Sequence, residues 1–215
     1  MTDYAPLRTM MVDTQVRPND VTKFPIIEAM LAIAREEYVP ASRREAAYVG
    51  ENVALTSGRV MFEPRTFAKL LDALDVQPGN RVLILGAGLG YGAAVLARMA
   101  ASVVAVEEDP DLAAQAAERL KGVAGVSVRQ GALGAGATAE GAFDRILIEG
   151  GVEDVPAAIL AQLAEGGRIG ALFMDGALGA VRIGYKIDGQ ISWRFGFNAA
   201  APVLAGFARR REFIF

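Results

Sequence analysis

From residue 80 onward the chain falls into a rhythm of short apolar runs and helical stretches, and the first of those runs empties into a loop of glycines. Arg81-Val82-Leu83-Ile84-Leu85 lacks polar alternation, as a strand buried on both faces requires, and leads directly into Gly86-Ala87-Gly88-Leu89-Gly90-Tyr91. A helical stretch over Ala93–Met99 comes next, then a strand at Val103–Val106 and a helix from Asp111 to Leu120. Strands are expected at Val126–Val128 and Phe143–Ile148, a helix from Pro156 through Leu163, and a strand at Ile169–Phe173 after Gly166-Gly167. Strands alternating with helices predict an open, mostly parallel sheet covered on both faces, an α/β fold. Beyond Gly176 the helices stop. Val181–Ile187 and Ile191–Phe197 flank Asp188-Gly189, a hairpin signal, so antiparallel strands should finish the sheet, with Phe213-Ile214-Phe215 offering a last one.

The region before residue 80 reads differently. Phe24, Ile27, Met30 and Leu31 are spaced for one face of a helix over Val21–Ile33,. Pro64 precedes Phe67, Leu70, Leu71 and Leu74, a second helix opening where proline is tolerated,. Loops are expected around Tyr38-Val39-Pro40 and Thr56-Ser57-Gly58, and a mobile one over Gly131–Gly141. Residues 1–78 thus read as a helical cap on the substrate side and 79–215 as the α/β core. With 215 residues, 53% of them hydrophobic, the two segments suit one compact domain,.

Composition removes several kinds of chemistry. The chain has no histidine and no cysteine, which excludes Ser-His-Asp and Cys-His catalysis, disulfides, and metal sites built on imidazole or thiolate. A net charge of −3 argues against nucleic acid as a partner,; the basic run Arg209-Arg210-Arg211 reads as a solvated terminus. No apolar stretch reaches the 18 residues of a membrane span, and Met1-Thr2-Asp3-Tyr4 does not begin a secretory signal,. A cytoplasmic location is expected.

The glycine loop carries the functional reading. Glycines at alternating positions let a ligand approach the backbone where any side chain would block it. Glu107 ends the second strand, twenty-one residues after Gly86, and a carboxylate there can accept hydrogen bonds from both hydroxyls of a ribose. A dinucleotide loop needs G-x-G-x-x-G, with its third glycine at the helix–strand contact; that position is the bulky Tyr91. The observed G-x-G-x-G suits S-adenosyl-L-methionine, which has a ribose but no phosphate. A class I methyltransferase, Rossmann-like sheet is therefore expected, with a nicotinamide-dependent oxidoreductase as a distant alternative. Gly86, Ala87, Gly88, Gly90, Tyr91 and Glu107 are the candidate cofactor contacts. Glu149, at the tip of the fourth strand, points toward the crevice where open α/β sheets bind ligands,. Glu108 and Asp109 read as a solvated turn and helix cap. Trp193 and Phe195 read as core or interface packing.

Several further elements resemble the protein-L-isoaspartate O-methyltransferases. Met11-Val12-Asp13-Thr14-Gln15-Val16-Arg17 is similar to that family's opening, and Ile27-Glu28-Ala29-Met30 with Tyr38-Val39-Pro40 to its next element. Pro64 stands where its Thr-Ile-Ser-Gln-Pro motif ends. Pro78–Leu83, Phe143–Ile146 and Gly166-Gly167-Arg168 match its later segments. The resemblance implies methyl transfer from S-adenosyl-L-methionine to the carboxylate of isoaspartyl residues in damaged proteins, with S-adenosyl-L-homocysteine as product. It also implies a contact to the adenine amine at Ala132, where the family carries aspartate. Three positions depart from the family pattern: Phe62 stands in place of the motif serine, Ile84 in place of an acid before the loop, and Ala132 in place of that aspartate. No catalytic side chain is identified. A member that binds a ligand or protein partner without methyl transfer is the alternative.

Overall fold

The computed structural model describes residues 3–209 and begins with α1 (Ala5–Met11), a π-helical stretch and a 3-10 turn through Asn19, and α2 (Phe24–Ala32). A hairpin of β1 (Val53–Thr56) and β2 (Arg59–Met61) precedes α3 (Pro64–Leu74). The alternating part follows: β3 (Arg81–Leu85), α4 (Tyr91–Leu96), β4 (Ser102–Glu107), α5 (Pro110–Arg119), β5 (Val126–Gln130), β6 (Phe143–Val152), α6 (Ala157–Ala161) and β7 (Leu163–Asp175). Two long strands, β8 (Leu178–Ile187) and β9 (Gln190–Asn198), follow, and residues 199–209 then pass the end of β6, where Val203 bridges Gly151.

Seven strands form one sheet in the order β5-β4-β3-β6-β7-β8-β9. The pairs from β5 to β7 are parallel, and β7–β8 and β8–β9 are antiparallel. The expected class I methyltransferase type of sheet is what is found. Asp188 and Gly189 turn the last hairpin with φ of 51° and 74°, the two positive values that a tight two-residue turn needs. Phe213–Phe215 lie outside the described residues.

Alternation along each strand sorts the core into two layers. Val82, Ile84, Val103, Ala105 and Leu147 pack with Phe67, Leu70, Leu71 and Leu74 of α3 and with Met11 and Met30 from the first helices. Leu83, Leu85, Val104, Val106, Ile146 and Ile148 face the other way, onto Ile159, Leu163 and Phe207. Pro64 occupies the start of α3, and Asp75 ends that helix with φ 53°. Asp109 caps α5, its carboxylate accepting the N–H groups of Asp111 and Leu112, as expected from the sequence.

Some boundaries differ from expectation for identifiable reasons. α6 is only five residues long, and β7 begins at Leu163 rather than Ile169, because Phe143 already pairs with Leu163. The segment 131–141 is shaped by two 3-10 turns, with Leu133 buried and the Ala137 N–H donated to Gln162 Oε1 at 2.8 Å. Trp193 packs edge-on against Phe173 with ring centroids 4.9 Å apart. Phe195, however, is 66% exposed and not part of the core. It sits on the outermost strand, where a register irregularity sets it opposite the exposed Arg182.

Candidate functional site

β3 pairs with β4 on one side and β6 on the other, so the order of the sheet reverses around it. The crevice beyond the carboxyl ends of such strands is where open α/β sheets take ligands, and the glycine loop lies there. Gly86 and Ala87 donate their N–H groups to Val106 O at 2.9 and 3.2 Å, tying the loop to the end of β4. Gly86, Gly88 and Gly90 have φ of 82°, 56° and 97°, a region that side chains make costly. Ala87 is buried between them.

Glu107 faces the loop as expected. It is fully buried, and it accepts the N–H of Gly88 at 2.7 Å, of Glu108 at 2.9 Å and of Asp109 at 3.1 Å. Its oxygens are not free for a sugar, however. Arg59 donates Nη1 to Oε1 at 3.0 Å and Nη2 to Oε2 at 2.7 Å, a two-pronged ion pair. Leu55, from the same hairpin, reaches the bend itself: a Cβ added to Gly88 would lie 2.5 Å from Leu55 Cδ1. A cavity of only about 10 Å³ remains among Leu55, Val60, Gly86, Gly88, Tyr91 and Glu149, whereas small-molecule sites typically span roughly 300–1,000 Å³. The residue types suit an adenosyl group, but the space is filled by the chain's own hairpin.

Arg59 was not legible beforehand. It is 48 positions from Glu107, and a single arginine after Thr56-Ser57-Gly58 creates no periodic signal. The turn itself was the available hint.

Other candidates take varied places. Ile84 lies in the core beside Leu147 of β6, and Glu149, two residues further along β6, lines the small cavity. Tyr91 is a wall of the core. Its ring packs on Phe67 and Tyr38 with centroids 5.3 and 5.9 Å away, beneath the buried Arg35 guanidinium at 4.9 Å. Phe62 is 3% exposed, and its carbonyl accepts Arg35 Nη2 at 2.5 Å. Glu63 is held by Thr66 Oγ1 at 2.7 Å and by Arg65. Ala132 is exposed just past β5 and does not line the cavity.

Burial raises the Glu149 carboxyl to about 8, with Arg59 and Arg35 pulling it down and Glu107 pushing it up. Below pH 4.5 folded and unfolded chains both hold this proton. Between 4.5 and about 8 only the folded chain keeps it, so the side chain's contribution to stability is lost as pH rises through that window,. Each pKa unit corresponds to roughly 1.4 kcal/mol. Urea midpoints measured at pH 5 and pH 8 should therefore fall more steeply for the native protein than for Glu149→Gln, which stays neutral; equal slopes would refute the assignment.

The comparisons with known proteins agree with one another. Residues 9–172 match the family model described as Protein-L-isoaspartate(D-aspartate) O-methyltransferase (PCMT). The chain is 36% identical over 171 residues to a protein-L-isoaspartate O-methyltransferase of Koribacter versatilis, covering 79% of this chain and 77% of that one. It is 38% identical over 170 residues to the enzyme of that name from Methylorubrum populi, covering 79% of each. A solved protein-L-isoaspartate O-methyltransferase superposes with a TM-score of 0.81 at 22% identity, over 96% of this chain and 67% of the other. That likeness establishes the fold.

Proposed function

Because the chain belongs to the protein-L-isoaspartate(D-aspartate) O-methyltransferase family, we propose that it is an S-adenosyl-L-methionine-dependent carboxyl O-methyltransferase acting on isoaspartyl residues of proteins and releasing S-adenosyl-L-homocysteine. The observation that carries this reading is the glycine loop with Glu107 turned toward it at the reversal point of the sheet. S-adenosyl-L-methionine supplies an electrophilic methyl group on a sulfonium.

The reaction suits a chain without histidine. An acceptor carboxylate is already ionised at neutral pH, so no general base is needed, and the protein's task is orientation and exclusion of water. Gly86, Gly88, Gly90 and Glu107 are the residues for the adenosyl end, with Ala87, Tyr91, Ala132 and Glu149 as candidate neighbours. In the arrangement described above the donor does not fit beside Arg59 and Leu55. Residues 1–78 form the substrate side in this reading. Among the described residues no helix is long and apolar enough to cross a membrane, and we place the activity in the cytoplasm, in keeping with a chain that lacks cysteine.

Purified protein incubated with methyl-labelled S-adenosyl-L-methionine and an isoaspartyl peptide should yield a base-labile methyl ester, and an otherwise identical aspartyl peptide should not. Absence of ester where a control enzyme produces it would reject the repair activity. Turnover on the isoaspartyl peptide would eliminate the silent-member alternative, which Phe62, Ile84 and Ala132 favour.

A further inference from the structure

We infer that the tip of the β1–β2 hairpin is an intramolecular plug of the adenosyl site, which has to lift before S-adenosyl-L-methionine or its product enters. The inference rests on the donor-binding reading above and deepens it into a mode of regulation.

Three observations carry it. First, Arg59 presents two N–H donors to the two oxygens of Glu107, the same oxygens that a pair of ribose hydroxyls would use. A guanidinium and a sugar cannot hold both at once, so the chain itself competes with the ligand. Second, Leu55 occupies the bend at Gly88, where the absence of a side chain would otherwise admit a ligand against the backbone. Third, the hairpin is not hydrogen-bonded into the main sheet. It forms a two-stranded sheet of its own, with three paired positions and an irregularity between Ala54 and Thr56. Val53 and Met61 bury its base, whereas Thr56, Ser57 and Gly58 at the tip are exposed. An isolated two-stranded hairpin is marginal by itself, and such elements open locally at low cost.

The seat of the plug is also imperfect. Arg59 Nε is buried without an acceptor, a group that regains a partner in water when the tip lifts. Glu107, in turn, keeps three backbone N–H donors after Arg59 leaves, so opening does not strand a bare charge. A ligand that needs the open form binds with an apparent affinity reduced by the open fraction. Removing the plug should raise that affinity.

S-adenosyl-L-homocysteine titrated calorimetrically into the full chain tests this. Arg59→Ala and Leu55→Ala should each tighten binding at least tenfold, and the double variant further. Hydrogen exchange gives a second readout: saturating ligand should protect amides of 86–90 in the native chain while amides of 55–60 exchange faster. Equal affinity in native protein and variants, with the hairpin amides unchanged or more protected by ligand, would overturn the plug and leave the proposed activity standing. Loss of any binding in native and variant proteins that remain folded by circular dichroism would remove the donor site, and the plug with it. Should Arg59→Ala fail to fold, Leu55→Ala and the exchange pattern decide the matter on their own.

Discussion

Glu107→Ala is expected to destabilise the protein by about 3–5 kcal/mol, the range for breaking a buried ion pair by removing one partner. The reason is the number of groups that depend on this side chain. Three backbone N–H groups and both terminal nitrogens of Arg59 donate to it at 2.7–3.1 Å, and alanine takes that shared acceptor away from all of them at once. The comparison with Arg59→Ala sharpens the expectation. That change removes two of the five donors and leaves the carboxylate on its three amides, so its cost should be clearly smaller. Chemical denaturation of both single variants and the double variant forms a cycle that isolates the pair. A double variant no less stable than Glu107→Ala alone would support the pairing, since Arg59 would have nothing left to lose. An unchanged denaturation midpoint in Glu107→Ala would contradict the described geometry.

Phe62→Ser should also weaken the fold by about 3–5 kcal/mol, the range for truncating a buried aromatic side chain, without increasing methyl ester formation. Phe62 belongs to the core layer that contains Phe67, Tyr91 and Val53, and the chain that carries it also supplies the carbonyl for buried Arg35. A serine there would leave a void and place a hydroxyl among apolar neighbours. It would not present that hydroxyl to a substrate, because the surrounding space is packed, and it would not free Glu107 from Arg59. For a chain of this size each kcal/mol lowers the melting temperature by roughly 2–4 °C, so a thermal scan beside the ester assay reads both halves of the prediction. A variant with undiminished melting temperature and a higher rate would show that position 62 is a site residue rather than a core residue.

These two residues mark how far the site could be read in advance. Strand length and a fixed offset from the glycines set Glu107 beside the loop. Its partner is not legible in the same way, since Arg59 arrives from a hairpin of four- and three-residue strands that is too short to register as periodicity. Phe62 holds a motif position, yet its burial belongs to a core layer shared with residues as distant as Tyr91 and Leu147. Glu149 was likewise placed at the crevice, while its raised pKa depends on Arg35 and Arg59 from distant segments.

Local rules were enough for the alternation of strands and helices, the glycine bend at 86, 88 and 90, the cap at Asp109 and the turn at Asp188-Gly189, because each is set by a few consecutive residues and the backbone angles they permit. Whether the bend at Gly88 stands open or filled belongs to the tertiary structure alone. That outcome depends on which partner the fold brings to a buried carboxylate, and a partner brought in across 48 positions leaves no trace in the pattern around either residue.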